Sequence, residues 1–286
     1  MIRLSPLTQT ALSLAVMAIL AAGLLSCSSE APSYQLSSKF PAVGAIYTYK
    51  MDSHQVARIY ENDSLIREVD SKMEGDISYT AKDLLSDGAA VVREENRWSW
   101  DEPGDSGQIK RVTKEYAYEM TILPNGKVID LKMIDKPSQS WEDYVKRYSD
   151  QGMPVFPDEK ISTGYTWTQK TPVDLPSGDT TTASMTYKIK GTTQKMGYNC
   201  AIIEYNGTVV LPLFRDPQDT TAFEMVDWIE MSGILYYGID IGTSVNSEER
   251  RRVRSERTFI KGGKQIARRA ESESVMSYNL VSLEGT

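Results

Sequence analysis

Histidine is almost absent from this chain, which holds only His54, and cysteine occurs only at Cys27 and Cys200. One imidazole and no cysteine cluster leave no ligand set for a transition metal, and two cysteines cannot staple a disulfide-rich scaffold. There is no Gly-x-Ser-x-Gly, no phosphate-cradling glycine loop and no His-x-x-x-His, so a Ser-His-Asp centre would have to use His54, between Ser53 and Gln55. Nor is there an excess of basic charge. The 32 Lys and Arg stand against 39 Asp and Glu, a formal −7, which speaks against nucleic acid as a partner. The expectation is therefore no catalytic residue, no metal and no cofactor. Loop acids such as Asp101-Glu102 or Asp158-Glu159 leave a carboxylate-based hydrolase open, because such pairs are spaced in space rather than in sequence. Asp216-Pro217-Gln218-Asp219 has too few acids for an EF-type calcium loop.

What is present begins at the N-terminus. Arg3 precedes an apolar run from Ala11 to Leu25, interrupted only by Ser13 and Gly23. At ~1.5 Å per residue such a run spans roughly 22 Å, short of the ~30 Å bilayer core, which suits the apolar segment of a signal peptide better than a permanent span. Leu24-Leu25-Ser26-Cys27 resembles the lipobox of bacterial lipoproteins. The resemblance implies cleavage after residue 26, lipidation and acylation of Cys27, and a chain tethered to the cell envelope through two or three acyl chains. Ser28 and Ser29 follow with no aspartate, which by the enterobacterial sorting rule points to the outer membrane. Residues 27–40 then read as the lipidated cysteine and a flexible tether. Cys200, in Cys200-Ala201-Ile202-Ile203, reads as a buried structural thiol.

From Gly44 onward, period-two alternation dominates. Tyr47, Tyr49 and Met51, then Tyr116, Tyr118, Met120 and Ile122, then Met185, Tyr187 and Ile189 alternate with polar residues, as half-buried strands do. Pro124-Asn125-Gly126-Lys127 predicts a hairpin with a type I′ turn. Ser140 as N-cap, Trp141, Tyr144, Val145 and Tyr148 as one apolar stripe, and Gly152 as terminator predict a helix at about 140–150, packed on the sheet or lying over a cavity. It falls between two weakly similar halves, about 41–136 and 160–280. Gly44 with Tyr47 and Tyr49 echoes Gly164 with Tyr165 and Trp167, and Ile77-Ser78-Tyr79 echoes Met185-Thr186-Tyr187. The expected fold is mainly β, a curved antiparallel sheet that is either a half-barrel or two packed sheets, with one central helix.

Phe156-Pro157, Gly164-Tyr165-Thr166-Trp167, Met185 to Gly191 and Gly197 to Glu204 resemble a family of bacterial envelope lipoproteins known only as a domain of unknown function. That resemblance implies no activity. The order of strands, helix and strands is also similar to the half-barrel of the Lol lipoprotein carriers, an analogy of architecture alone.

Two local features ask for a role. Trp98-Ser99-Trp100 places two indoles on one face of a strand, for core packing or for the rim of a site for lipid, glycan or another apolar ligand. Residues 248–273 hold seven Arg and two Lys against five Glu, so Arg250, Arg252 and Arg254 read either as a solvated strand face or as a patch for an anionic partner. Asp63-Ser64-Leu65, Asp179-Thr180-Thr181 and Asp219-Thr220-Thr221 also resemble a short O-glycosylation sequon of Bacteroidota.

The leading expectation is a non-enzymatic, membrane-anchored lipoprotein that binds lipid or another apolar ligand on a concave sheet face lined by Trp98, Trp100, Tyr118, Met120, Tyr187 and Ile189. An assembly lipoprotein with a filled core is the alternative, and the hydrolase comes third. Replacing Cys27 with alanine is expected to leave an uncleaved chain of higher protein mass that takes up no fatty-acid label. Unchanged mass and labelling would remove the lipoprotein assignment.

Overall fold

The computed structural model describes residues 33–103, 109–134, 154–174, 180–212, 222–261 and 264–285. Within them lie eleven strands: β1 Ile46–Glu61, β2 Ser64–Leu84, β3 Ala90–Pro103, β4 Ile109–Ile122, β5 Val128–Met133, β6 Thr166–Asp174, β7 Thr180–Lys195, β8 Tyr198–Pro212, β9 Ala222–Gly238, β10 Thr243–Lys261 and β11 Lys264–Glu284. All pair antiparallel in one sheet of order β5-β4-β3-β2-β1-β11-β10-β9-β8-β7-β6. Of the two expected architectures, the single continuous sheet is the one found. β1 and β11 sit side by side at its centre, and β5 and β6 are its edges. The described residues contain no helix. The expected helix at about 140–150 falls outside them, so a central helix has no support, and Cys27 with its signal peptide is likewise outside.

A lone sheet can dry one of its faces only by curling that face onto itself. The inner face is the one the alternation marked. Tyr47, Tyr49 and Met51 are buried on β1, Met120 and Ile122 on β4, and Met185, Tyr187 and Ile189 on β7. Curling is visible in contacts between strands that are not neighbours. Tyr198 of β8 packs against the cluster formed by β1, β2 and β11, and the Tyr49 hydroxyl meets Thr243 and the Ser244 carbonyl of β10. Two features permit it. β-Bulges interrupt five strand pairs near one end, at Lys82, Ile129, Lys190, Val245 and Val281, and bulges bend and twist a sheet locally. Inner-face glycines make room for large rings as well. Trp98 lies over Gly75, where a Cβ would be tight at 3.1 Å, and Tyr205 lies over Gly233, where a Cβ would collide.

The bulged end is the packed one. Tyr34–Phe40 belongs to the folded body rather than to a free tether. Tyr34 bridges Ile161, the Ser38 amide donates to the Pro124 carbonyl, Leu36 is buried and Phe40 meets Tyr47 edge-on. Phe156 lies 4.6 Å from Tyr237 and 6.4 Å from Trp167, and its amide donates to the Asn125 carbonyl. These two segments join the β4–β5 turn to the second half of the sheet and seal that end.

The β4–β5 hairpin forms, but its turn is not type I′. The Gly126 amide donates to the Leu123 carbonyl and, of the central residues, only Gly126 has positive φ, at 86°. Pro124, with φ fixed near −65°, suits the first central position of a type I turn, so Gly126 takes the left-handed place after it. The residue pair with positive φ that a type I′ turn requires is Asn62-Asp63, between β1 and β2.

Phe156→Ala should cost about 3–5 kcal/mol in urea unfolding, since a buried ring leaves a void at the sealed end. Val275→Ala, at an exposed site, should change stability by no more than about 0.5 kcal/mol. Equal effects would contradict the sealed-end account.

Candidate functional site

The inner face divides into a filled part and a half-open part. Tyr118 and Met120 are 8% and 6% exposed in a cluster of β3 and β4, whereas Tyr187 and Ile189 are 3% and 0% exposed in a separate cluster of β6–β9. Those four side chains are used in packing, and the structure does not bring the two pairs together. Tyr187 stacks on Trp167 at 4.9 Å, and burial raises its phenol pKa.

Trp98 and Trp100 fare differently. Both are half-buried on the inner face, opposite Gly75 and Met73 of β2. The Trp98 indole donates to the Tyr116 hydroxyl at 2.6 Å, and the Trp100 indole to Glu102 at 2.6 Å. Met73, Val112, Tyr116, Met276 and Val253 share this face and are also half-buried. The result is a largely apolar wall beyond the packed end, with the indoles held by hydrogen bonds at their polar edges and the Lys114 ammonium over the Trp100 ring at 5.5 Å.

Beneath that wall lies a feature that the alternation alone did not reveal. Glu94 and Asn96 are 6% and 3% exposed, and Asn96 Nδ2 donates to Glu94 Oε1 at 2.7 Å. The Tyr118 and Tyr79 hydroxyls also hydrogen-bond the carboxyl. Burial holds the Glu94 carboxyl above its ordinary pKa despite these three donors, and burial followed by the charge of Glu94 drives the Tyr79 and Tyr118 phenols up. On the other half of the face, Glu249 accepts from Tyr205 at 3.0 Å and from Arg251 at 3.2 Å. The available signal was parity: Val92, Glu94, Asn96 and Trp98 fall on one face of one strand, so a carboxyl and an amide sit among core positions.

The arginine stripe lies on the outer face and is laterally neutralised. Arg250 and Arg252 reach Glu273 at 3.3 and 3.6 Å, and Arg254 pairs with Glu256 and covers the Trp228 ring. It is a ladder of exposed ion pairs, each worth roughly 0–1 kcal/mol, rather than a bare basic patch. His54 pairs with Asp70 at 2.8 Å on the exposed outer face. The loop acids do not converge. Asp101 receives Arg111 beyond the indoles, whereas Glu159 receives Tyr165 and is held below the usual carboxylate range by that hydroxyl, at the sealed end. Cys200 is fully buried, and burial pushes its thiol up. A depression of about 310 Å³ opens on the outer face, lined by Thr48, Asp76, Ser78, Arg93, Glu95 and Arg97 among others.

No family model and no curated protein matches the chain. Among solved structures it is similar to the P. putida toluene transporter TodX, with 6% identity and a TM-score of 0.19 over 84% of this chain and 90% of that one. A deltaS2 mutant of the TodX monoaromatic hydrocarbon channel gives 8% identity and 0.18 over 89% and 98%. Pseudomonas putida OprB at low pH gives 9% and 0.17 over 82% and 92%. TM-scores this low do not amount to a shared fold.

A carboxyl whose pKa is raised by folding favours the folded state most below its unfolded pKa and loses that contribution as pH rises through the folded value. Glu94→Gln removes the titration, so its stability relative to the parent should improve as pH rises from about 4, the ordinary glutamate range. Urea midpoints that keep a constant difference as pH rises would show that Glu94 carries no such penalty.

Proposed function

We propose that the chain is a non-enzymatic, lipid-anchored envelope protein that binds a lipid or other apolar ligand against the half-open part of its inner face. The supporting observation is the wall of Trp98, Trp100, Met73, Val112, Tyr116 and Met276, apolar side chains on the core-facing side of the strands that the packed clusters leave half-buried. Indoles pinned at their N–H groups add apolar surface without an unpaired donor, as a preformed binding wall requires, and Lys114 over the Trp100 ring adds a cation beside it. The anchor is Cys27, carried by its lipobox resemblance, and the outer membrane is the proposed site of attachment.

The filled clusters around Tyr118, Met120, Tyr187 and Ile189 favour a second reading, an assembly lipoprotein that works through surface contacts. The two diverge in one experiment. Mature chain with Cys27→Ser, secreted without a tag, is taken to native mass spectrometry under gentle conditions and then to lipid extraction. Ligand binding predicts a heavier species whose extra mass is extractable into organic solvent, and Trp98→Ala/Trp100→Ala should lower its occupancy about tenfold. Recovery of apo protein alone from the parent would favour the assembly reading.

A further inference from the structure

At the end of the sheet opposite the sealed one, the β1–β2 and β10–β11 hairpins lie side by side, and the β3–β4, β6–β7 and β8–β9 connections fall at the same end. β2 pairs with β3 only from Met73 onward, so Ser64–Lys72, about 30 Å of strand at ~3.3 Å per residue, pairs with β1 alone among the described strands. The two hairpins are joined there, with the Asn62 amide donating to the Ala267 carbonyl at 2.9 Å.

This tip combines two properties that a water-facing end does not need. Leu65 and Ile66 are 53% and 52% exposed, although successive residues of a strand normally face opposite sides and one of them is covered. A bulge at Ile66, between the pairs Ile59↔Arg67 and Tyr60↔Leu65, breaks that alternation and leaves both outside. Around them the charge is positive. Residues 58–68 and 257–269 hold seven Lys and Arg against Glu61, Asp63 and Glu68, a net of +4 on a chain of −7. The acids are taken up by Arg268, Arg269 and Arg58. Arg67, Arg257 and Lys264 are exposed and have no ion-pair partner among the described residues. All three lie on the inner-face side of their strands, at the mouth of the concave face.

We propose that this open end docks onto an anionic lipid bilayer. Leu65 and Ile66 enter the apolar boundary of the headgroup layer, and Arg67, Arg257 and Lys264 meet lipid phosphates. An acidic protein approaches a negatively charged surface only through a region of opposite sign, and the cationic tip supplies it. The aliphatic pair supplies the part of the attachment that salt does not screen. Docking here does not rest on the ligand reading, since a filled inner face would leave the tip unchanged.

The test uses the mature chain, residues 27–286, with Cys27→Ser and one added cysteine carrying a polarity-sensitive fluorophore, either Ser64→Cys at the tip or Ser86→Cys at the sealed end. Cys200 is buried and stays unlabelled. Vesicles of phosphatidylcholine, with or without about 30% phosphatidylglycerol, carry a lipid-bound quencher. The expected result is quenching and a blue shift at position 64 with anionic vesicles only, and no change at position 86. Leu65→Asp/Ile66→Asp should weaken that binding about tenfold with an unchanged urea midpoint, both sites being exposed. A label at position 64 that stays in water with anionic vesicles overturns the proposal. So does equal burial of both labels, which marks attachment through another part of the chain, or equal burial of position 64 in neutral vesicles.

Discussion

A single sheet with no described second layer must bury its own face, and that constraint governs the rest of the molecule. Burial to near zero at Tyr47, Met51, Ile189 and Ile203 comes from curling. Curling in turn needs the band of bulges at one end and the close approach of rings to Gly75 and Gly233. At ~25 cal/mol per Å² of apolar surface removed from water, the sealed end carries most of the hydrophobic stabilisation, and Phe156 and Leu36 are the plugs that complete it. The same geometry leaves the other end short of material. Strands as long as β2 and β11 run well beyond the region where the inner face can close, so side chains there remain half-buried or exposed.

That asymmetry links fold to function. The boundary between filled and half-open regions falls near Glu94 and Asn96, whose polar groups are satisfied largely by Tyr79, Tyr118 and each other. Below it the tyrosines act as core, with hydroxyls reaching backbone carbonyls, as Tyr47 does at Lys39 and Tyr237 at Gly242. Above it the indoles bond side chains rather than the backbone, Trp98 at Tyr116 and Trp100 at Glu102, and they and Met73 and Met276 stay half-buried. Beyond these, at the tip, exposed cations without ion-pair partners among the described residues stand beside half-buried Ile59, Phe259 and Ile266. Along the strands the inner face thus passes from dry core through an apolar wall to a cationic mouth.

Much of this was legible in the sequence. The alternation at Tyr47-Tyr49-Met51, Tyr116 to Ile122 and Met185-Tyr187-Ile189 located three strands and the face each buries. Pro124-Asn125-Gly126 located a hairpin, though the proline's fixed φ moved the turn from type I′ to type I with a following left-handed glycine. Alternation cannot tell how far along a strand burial extends, because that depends on where the sheet closes. Tyr187 and Ile189 therefore looked like site residues and are core, whereas Trp98 and Trp100 looked the same and remain half-buried. The arginine run was visible as charge, but its neutralisation by Glu273 depends on the β10–β11 register, which local sequence does not fix. Leu36 and Phe40 sit in what read as a tether because the surface they cover is assembled from distant strands.

The division of the inner face into filled and half-open parts is the central claim, and brief hydroxyl-radical footprinting of the folded mature protein measures it directly. Met73, Met276 and Trp100 should be oxidised at least about tenfold faster than Met51, Met120 and Met185, which face the same side of the sheet but lie in the packed clusters. Equal protection of all six would mean that the inner face is filled from end to end and would contradict the account.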